Sequence, residues 1–315
     1  MQVFDAAATR AAIPIGELLD AVEAAFRDVS AGRDRSPLRT HVGLPGGDLL
    51  LMPGVREGGA GSTVKLVTVT PGNASRGLPT IHASVTWLDA TTGAPRAVFD
   101  GATITAMRTG AASGVATRLL ARTDARVLGL LGAGAQAGWQ VRGVLAARPI
   151  EEVRVYARDA TRRRAFADEL AADLGPSVMV RAVPDAEAAV RGTDVVCAAT
   201  TSAEPVFDAA WIDPGCHVNG VGAYRSDMVE LPPDLFGRAA LIAVDAHAAA
   251  LAEAGDVLRA LADGVITDDA LVEIGRIDRA WAANRDPRAI TIFKSVGLAI
   301  QDVAATEIAA RRLLG

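Results

Sequence analysis

Apolar residues in "IGELLDAVEAAFRDVSAGR" recur at helical spacing and stop at a glycine, which predicts a helix near the N-terminus. The pattern then changes: "DLLLMPGV", "STVKLVTV", "TIHASVTWLD" and "PRAVFDG" are short apolar runs divided by Pro, Gly and Asn, and predict strands. From residue 103 an Ala-rich helical stretch, "TITAMRTGAASGVATRLLAR", leads into "ARVLGLLGAGAQAGWQVRGVLAAR", where strand, glycine turn and helix follow in succession. "EVRVYA", "VMVRAV", "DVVCAAT", "CHVNGVG" and "ALIAVD" carry the alternation to about residue 250, each followed by a helical or turn segment. Strand alternating with helix predicts a doubly wound parallel sheet. The final stretch, "TIFKSVGLAIQDVAATEIAARRLL", is amphipathic and predicts one helix that returns to the first domain. The expected architecture is α/β: a doubly wound domain over 122–290, and a discontinuous, strand-rich α+β domain over 1–121 joined by the helix 291–315.

At 315 residues, half of them hydrophobic, the chain is long enough for two such domains. A net charge of -5 and a pI near 5.5 argue against broad attachment to nucleic acid or to an anionic membrane, both of which want a basic surface. The run Arg162 to Arg164 sits among acids on a helical pattern and predicts a solvated face. Cys197 and Cys216 are too few for a disulfide framework, and neither has metal-binding spacing, nor do His41, His217 and His247; no metal is expected. With no basic leader before an apolar block and no stretch of membrane-spanning length, a cytoplasmic protein is expected. One compositional skew bears on chemistry. The chain has 32 basic residues and only two lysines, so Lys65, on the alternating stretch "GSTVKLVTV", suggests a site that needs a compact point charge.

"VLGLLGAGAQA" places Gly132, Gly134 and Ala137 in the pattern G-x-G-x-x-A after an apolar strand and at the start of a helix. The first glycine permits the tight turn and the second lets backbone approach a pyrophosphate. The helix start, with Ala135 and Gln136 beside it, supplies amide donors and a positive dipole end. This is the signature of a Rossmann dinucleotide-binding domain. The group that reads the adenosine ribose is expected at the end of the next strand, about 20 residues on. There "VRVYARDATRRR" offers Arg158, with Arg162 nearby and no carboxylate at the strand tip, which favours the 2'-phosphate of NADP(H); Asp159 keeps NAD(H) open. "AATTSAEPVF" puts Thr200 and Thr201 at the carboxyl end of the sheet, the edge at which such folds bind ligands.

"PLRT", "LLMPG", "VKLVTVTPGNASRGLPT", "AMRTGAASGVATRLLAR", "LLGAGAQA", "ATTSAEPV", "HVNGVGAYRSDMVEL" and "FKSVGLAIQDVAA", in that order, resemble the ornithine cyclodeaminase and mu-crystallin family over nearly the whole chain. The resemblance implies a substrate domain, a Rossmann domain and a homodimer formed through the strand-rich N-terminal domain. It implies that Arg39, Lys65 and Arg108 hold the substrate carboxylate, and that Thr80, Thr200, Val221 and Ser295 contact the cofactor. Arg39 and Arg108 can fork onto carboxylate oxygens, while Lys65 offers a proton whose pKa can fall among other cations. His82 lies two residues beyond Thr80 and, on a strand, shares its side, so it is a further candidate to orient substrate or supply a proton.

Ornithine cyclodeaminases place an acid in the segment matching "LLLMP" and an aspartate in the segment matching "GAYRSDMVE"; here those positions read Leu50 and Tyr224. A cationic side chain on the substrate wants such acids, which disfavours cyclodeamination unless Asp48 or Asp227 replaces them. The expectation is therefore an NAD(P)H-dependent imine reductase, resembling the ketimine reductase and alanine dehydrogenase-like members. Its substrate is a small imine, 2-oxo acid or amino acid, with Met52 and Tyr224 lining an apolar wall.

Overall fold

The computed structural model describes residues 1–315, apart from Ala74 and Ala282. It divides into two compact units, Met1–Arg108 with Leu298–Gly315, and Thr109–Gly297.

In the first unit, six strands, β1 (Gln2–Phe4), β2 (Thr40–Leu44), β3 (Gly47–Val55), β4 (Gly61–Val69), β5 (Ile81–Asp89) and β6 (Pro95–Asp100), form one sheet in the order β1-β6-β5-β4-β3-β2. All neighbours are antiparallel except β1 and β6. The helix Ile15–Ser30 buries Leu18, Leu19, Val22 and Phe26, the 3–4 spacing that the sequence showed. Its Ala25 packs with Ile300 and Ala304 of the helix Ala299–Leu313, which also lies on β3 and β4. The approach is close at Gly54, where a Cβ would stand 2.7 Å from a Val303 methyl and 2.8 Å from the Ala299 carbonyl oxygen. Side chains on β4 alternate, with Thr63, Lys65 and Val67 buried and Leu66 exposed.

The second unit holds eight parallel strands: β7 (Val127–Leu131), β8 (Glu152–Tyr156), β9 (Met179–Ala182), β10 (Val195–Ala198), β11 (His217–Gly220), β12 (Leu241–Val244), β13 (Leu271–Glu273) and β14 (Thr291–Lys294). They run in the order β13-β12-β14-β11-β10-β7-β8-β9, so strand order reverses between β7 and β10. Leu128, Leu130, Val153, Val155, Val195 and Cys197 of these strands share one core with Val141 and Val144 of the helix Ala137–Ala147. This is the doubly wound Rossmann arrangement.

Two expectations change. The stretch 291–315 is not one helix: "TIFK" is β14, fully buried in the middle of the sheet, and Gly297, at φ 83°, separates it from the helix Ala299–Leu313. A buried four-residue segment is too short to show a period that distinguishes strand from helix, and only the slot between β11 and β12 decides it. The unit boundaries accordingly fall at 108/109, within the helix Gly101–Leu120, and at 297/298, rather than at 121 and 290. No helix among the described residues is long and apolar enough to cross a membrane.

Candidate active site

The first unit gathers a cluster of charges under its sheet. Lys65 lies in the middle of β4 and is 1% exposed; its Nζ is 2.6 Å from Asp302 Oδ2. The other Asp302 oxygen accepts from Arg108 Nε at 3.1 Å, and Arg108 Nη1 donates to Gln301 Oε1 at 2.7 Å. Asp302 and Gln301 are in the first turn of the helix Ala299–Leu313, and both are fully buried. Burial pushes the Lys65 ammonium down from 10.5 to about 7; Asp302 pulls it back up, while Arg108 and Arg39 push it further down. Arg39, half-buried just before β2, therefore belongs electrostatically to the same group. The structure thus brings Arg39, Lys65 and Arg108 together and adds Asp302 and Gln301, which sequence reasoning missed. Their signal was present: a polar pair, "QD", inside an otherwise apolar helical face, "AIQDVAA".

Strand register decides what else faces Lys65. Met52 is its direct partner on β3 and Val85 its partner on β5. Leu50 and Met52, 4% and 3% exposed, are on that same face, and so is Asp48, two residues before Leu50. His82 pairs with Thr68, three positions from Lys65, so it points to the opposite face and stays outside the cation cluster. It is exposed, as is Thr80 just ahead of β5.

In the second unit, Gly132 follows β7 with φ 112°, a conformation that favours glycine, and a Cβ there would stand 2.6 Å from the Ala199 carbonyl oxygen. Gly134 faces open space: a Cβ would meet nothing within 4 Å. The turn delivers Ala135 and Gln136 to the start of the helix Ala137–Ala147, which has no side-chain cap and no acid in its first turn, so its positive dipole end is not neutralised by a side chain; Ala137 N–H donates to the Gly134 carbonyl at 3.1 Å and Trp139 N–H to that of Gln136 at 3.0 Å. Room at Gly134 beside an uncapped helix start fits a dinucleotide pyrophosphate. The helix itself packs tightly, since a Cβ on Gly143 would run into the Gly110 carbonyl. At the tip of β8, Arg158 is exposed, while Arg162 turns its Nε onto the Ala133 carbonyl of the glycine turn at 3.0 Å. Asp159 is the N-cap of the helix Ala160–Leu174; one of its oxygens accepts from Thr161 and Arg162 N–H.

On the opposite side of β7, Thr200 and the exposed Thr201 follow β10, Val221 and the half-buried Tyr224 follow β11, and Ser295 follows β14. Ser295 Oγ donates to Asp245 Oδ2 at 2.8 Å, the same oxygen that accepts Val296 and Gly297 N–H. Asp227, the second possible substitute acid, is exposed and paired with Arg225 at 2.7 Å. His217 is buried between Thr291 Oγ1 and Asn219 Oδ1, and burial pushes it down to about 3, a structural histidine rather than a proton carrier. Cys197 and Cys216 are buried free thiols, pushed up to about 12 by burial. Among the described residues no group of three His, Cys, Asp or Glu side chains is arranged to hold a metal ion.

The chain is similar to known proteins over its whole length. The model of the ornithine cyclodeaminase/mu-crystallin family matches residues 2–314. A delta(1)-pyrroline-2-carboxylate reductase of Bacillus cereus is 35% identical over 100% of this chain and 97% of its own. The structure of Thermococcus litoralis delta(1)-pyrroline-2-carboxylate reductase with NADH and L-proline superposes with a TM-score of 0.93 at 36% identity, covering 100% of this chain and 98% of that one. An archaeal alanine dehydrogenase dimer with bound NAD gives 0.90 at 33% identity, covering 100% and 96%.

Proposed function

The chain belongs to the ornithine cyclodeaminase/mu-crystallin family, and from that premise we propose that it reduces small carboxylate-bearing imines with a nicotinamide cofactor, giving amino acids. The substrate class comprises cyclic ketimine acids, such as pyrroline-2-carboxylate and piperideine-2-carboxylate, and imines of 2-oxo acids. One observation carries this reading: the face that presents Lys65 continues into Leu50 and Met52, both buried, and Leu50 stands where the family resemblance implies an acid in a cyclodeaminase. Such a face suits a substrate with one anion and an apolar ring. A second amine would lose its water there against hydrocarbon.

The bound nicotinamide supplies the hydride. The protein supplies position and charge. Arg39 and Arg108 clamp the carboxylate, and Asp302 holds Lys65 and Arg108 in place. Lys65 keeps on Nζ a proton that leaves near neutral pH, available for sharing with the substrate nitrogen. Gly132, Gly134 and the start of the helix Ala137–Ala147 would hold the pyrophosphate.

The activity is read from the oxidation of NADPH and NADH with pyrroline-2-carboxylate and piperideine-2-carboxylate, alongside proline formation from ornithine. Rapid turnover of a cyclic imine with no proline is expected. Asp48, on the face of Leu50 and Met52, is the one observation favouring a cyclodeaminase. Proline and ammonia from ornithine would establish that reading and overturn ours.

NADP(H) is the cofactor we favour. Arg158 is exposed at the strand tip, Arg162 is fixed against the glycine turn, and Asp159 directs one oxygen to its own helix. In the Arg158→Ala/Arg162→Ala variant the KM for NADPH rises about 10- to 100-fold, the worth of a charge-assisted hydrogen bond. The KM for NADH stays nearly constant, and equal changes for the two cofactors would refute the assignment.

A homodimer through the strand-rich unit fits the surface of that unit. Edge strand β2 is exposed along its whole length, and Val42, Leu44, Leu66 and Ile81 are exposed apolar residues of the same sheet. The two buried free thiols fit a reducing cytoplasm.

A further inference from the structure

The second lysine of the chain, Lys294, is as buried as the first and also ends on an aspartate, with Nζ 2.6 Å from Asp256 Oδ2. The same Nζ donates to the Ala223 carbonyl oxygen at 2.6 Å. The other Asp256 oxygen accepts the backbone N–H of Glu230 at 2.5 Å and of Leu231 at 2.9 Å. Glu230, 0% exposed, directs its carboxylate onto three backbone donors. Thr200 N–H reaches one oxygen at 2.5 Å; Gly222 and Ala223 N–H reach the other at 2.6 and 2.9 Å. Gly222 leaves no slack, because a Cβ there would stand 2.5 Å from Thr200 N and 2.6 Å from Glu230 Oε1. Burial, and then Asp256, push the Glu230 carboxyl up overall; Lys294 and the Thr200 N–H act against that rise, on the side of the ionised acceptor that three donors require.

The place of this network in the sheet gives it a meaning. Thr200 follows β10, Gly222 and Ala223 follow β11, and Lys294 ends β14, three neighbouring strands on one side of β7. The glycine turn follows β7 itself, and Arg158 follows β8 on its other side. A dinucleotide with its pyrophosphate at the turn and its adenosine over β8 must extend its other half over β10, β11 and β14. Three buried ionisable groups are a costly way to fill a core that hydrocarbon could fill. What they gain here is fixed geometry at loop tips that lie beyond the strand ladders.

We infer that Glu230, held by Asp256 and Lys294, is the positioning residue for the nicotinamide half of the cofactor. It fixes the tips that carry Thr200, Thr201, Val221 and Tyr224 and leaves the adenosine half alone. The inference rests on the nicotinamide-dependent reading above.

Full-length wild type and Glu230→Gln are titrated with NADPH and with 2'-phospho-ADP-ribose, which lacks only the nicotinamide, and kcat is measured on pyrroline-2-carboxylate. Glutamine turns an N–H₂ toward backbone donors, so at least one bond is lost. The variant is expected to hold the fragment within about twofold of wild type, to bind NADPH about 10-fold more weakly and to lose about 30-fold in kcat. Equal losses for the two ligands, or a kcat within about threefold of wild type, overturn the inference. If Glu230→Gln does not fold, Asp256→Asn/Lys294→Met, which removes the ion pair and leaves Glu230 held by its three backbone donors alone, gives the same comparison. A wild type that prefers NADH is compared with ADP-ribose instead. A wild type that binds cofactor but turns over no imine refutes the proposed reaction while the affinity comparison still judges Glu230.

Discussion

Replacing Lys65 with methionine lowers kcat/KM for a cyclic ketimine acid about 1,000-fold, the scale of a lost charge contact in a water-poor site. Methionine keeps the length and removes the charge, and Asp302 retains Arg108 as a partner at 3.1 Å. Stability moves differently. The folded protein lowers the Lys65 pKa from 10.5 to about 7, so the protonated lysine costs stability in full below about pH 7. Between about 7 and 10.5 the unfolded chain binds the extra proton, the cost shrinks as pH rises, and above that range it is gone. Lys65→Met therefore melts no lower than wild type near pH 6 and lacks this component of the rise in stability at alkaline pH. In wild type the imine-reducing kcat/KM falls as pH rises through about 7, as Lys65 loses its proton. Lys65→Arg, which cannot deprotonate, loses that break. A break that persists in Lys65→Arg would remove Lys65 as its source.

Asp302→Asn has the second large effect, mainly on stability. It leaves Lys65 and Arg108, 1% and 5% exposed, without their shared anion. Removing one partner of a buried pair costs about 3–5 kcal/mol, and a thermal melt shows it directly. The same change removes what holds the Lys65 pKa up, so the activity break moves below pH 7. A melting temperature equal to wild type together with an unmoved pH break would show that Asp302 does not bear on either cation.

What was legible in the chain was local. The glycine turn could be read because strand, G-x-G-x-x-A and helix are contiguous, and Gly132 and Gly134 occupy the positions that chemistry asks of them. Arg39, Lys65 and Arg108 came from family resemblance, and the structure groups them. Asp302 was harder to see, because its partner Lys65 lies at the other end of the chain and the pair exists only once the last helix packs on β4. Glu230 and Asp256 were hidden for the same reason, since their roles depend on backbone donors of distant loops. For His82 the chain showed only the side it shares with Thr80; its face relative to Lys65 is set by the β4–β5 register, which turns the two apart. The strand "TIFK" was lost because four buried residues carry no period.

Both lysines of the chain lie within the interior, Lys65 1% and Lys294 0% exposed, each locked to an aspartate. The folded surface is therefore cationic only through arginine and offers no ε-amine to chemistry from outside. Bulky amine-directed cross-linkers meet neither lysine while the fold is intact. Lys294, which meets no substrate, becomes a nucleophile only when its unit opens, and its acylation is then a record of that unit's unfolding.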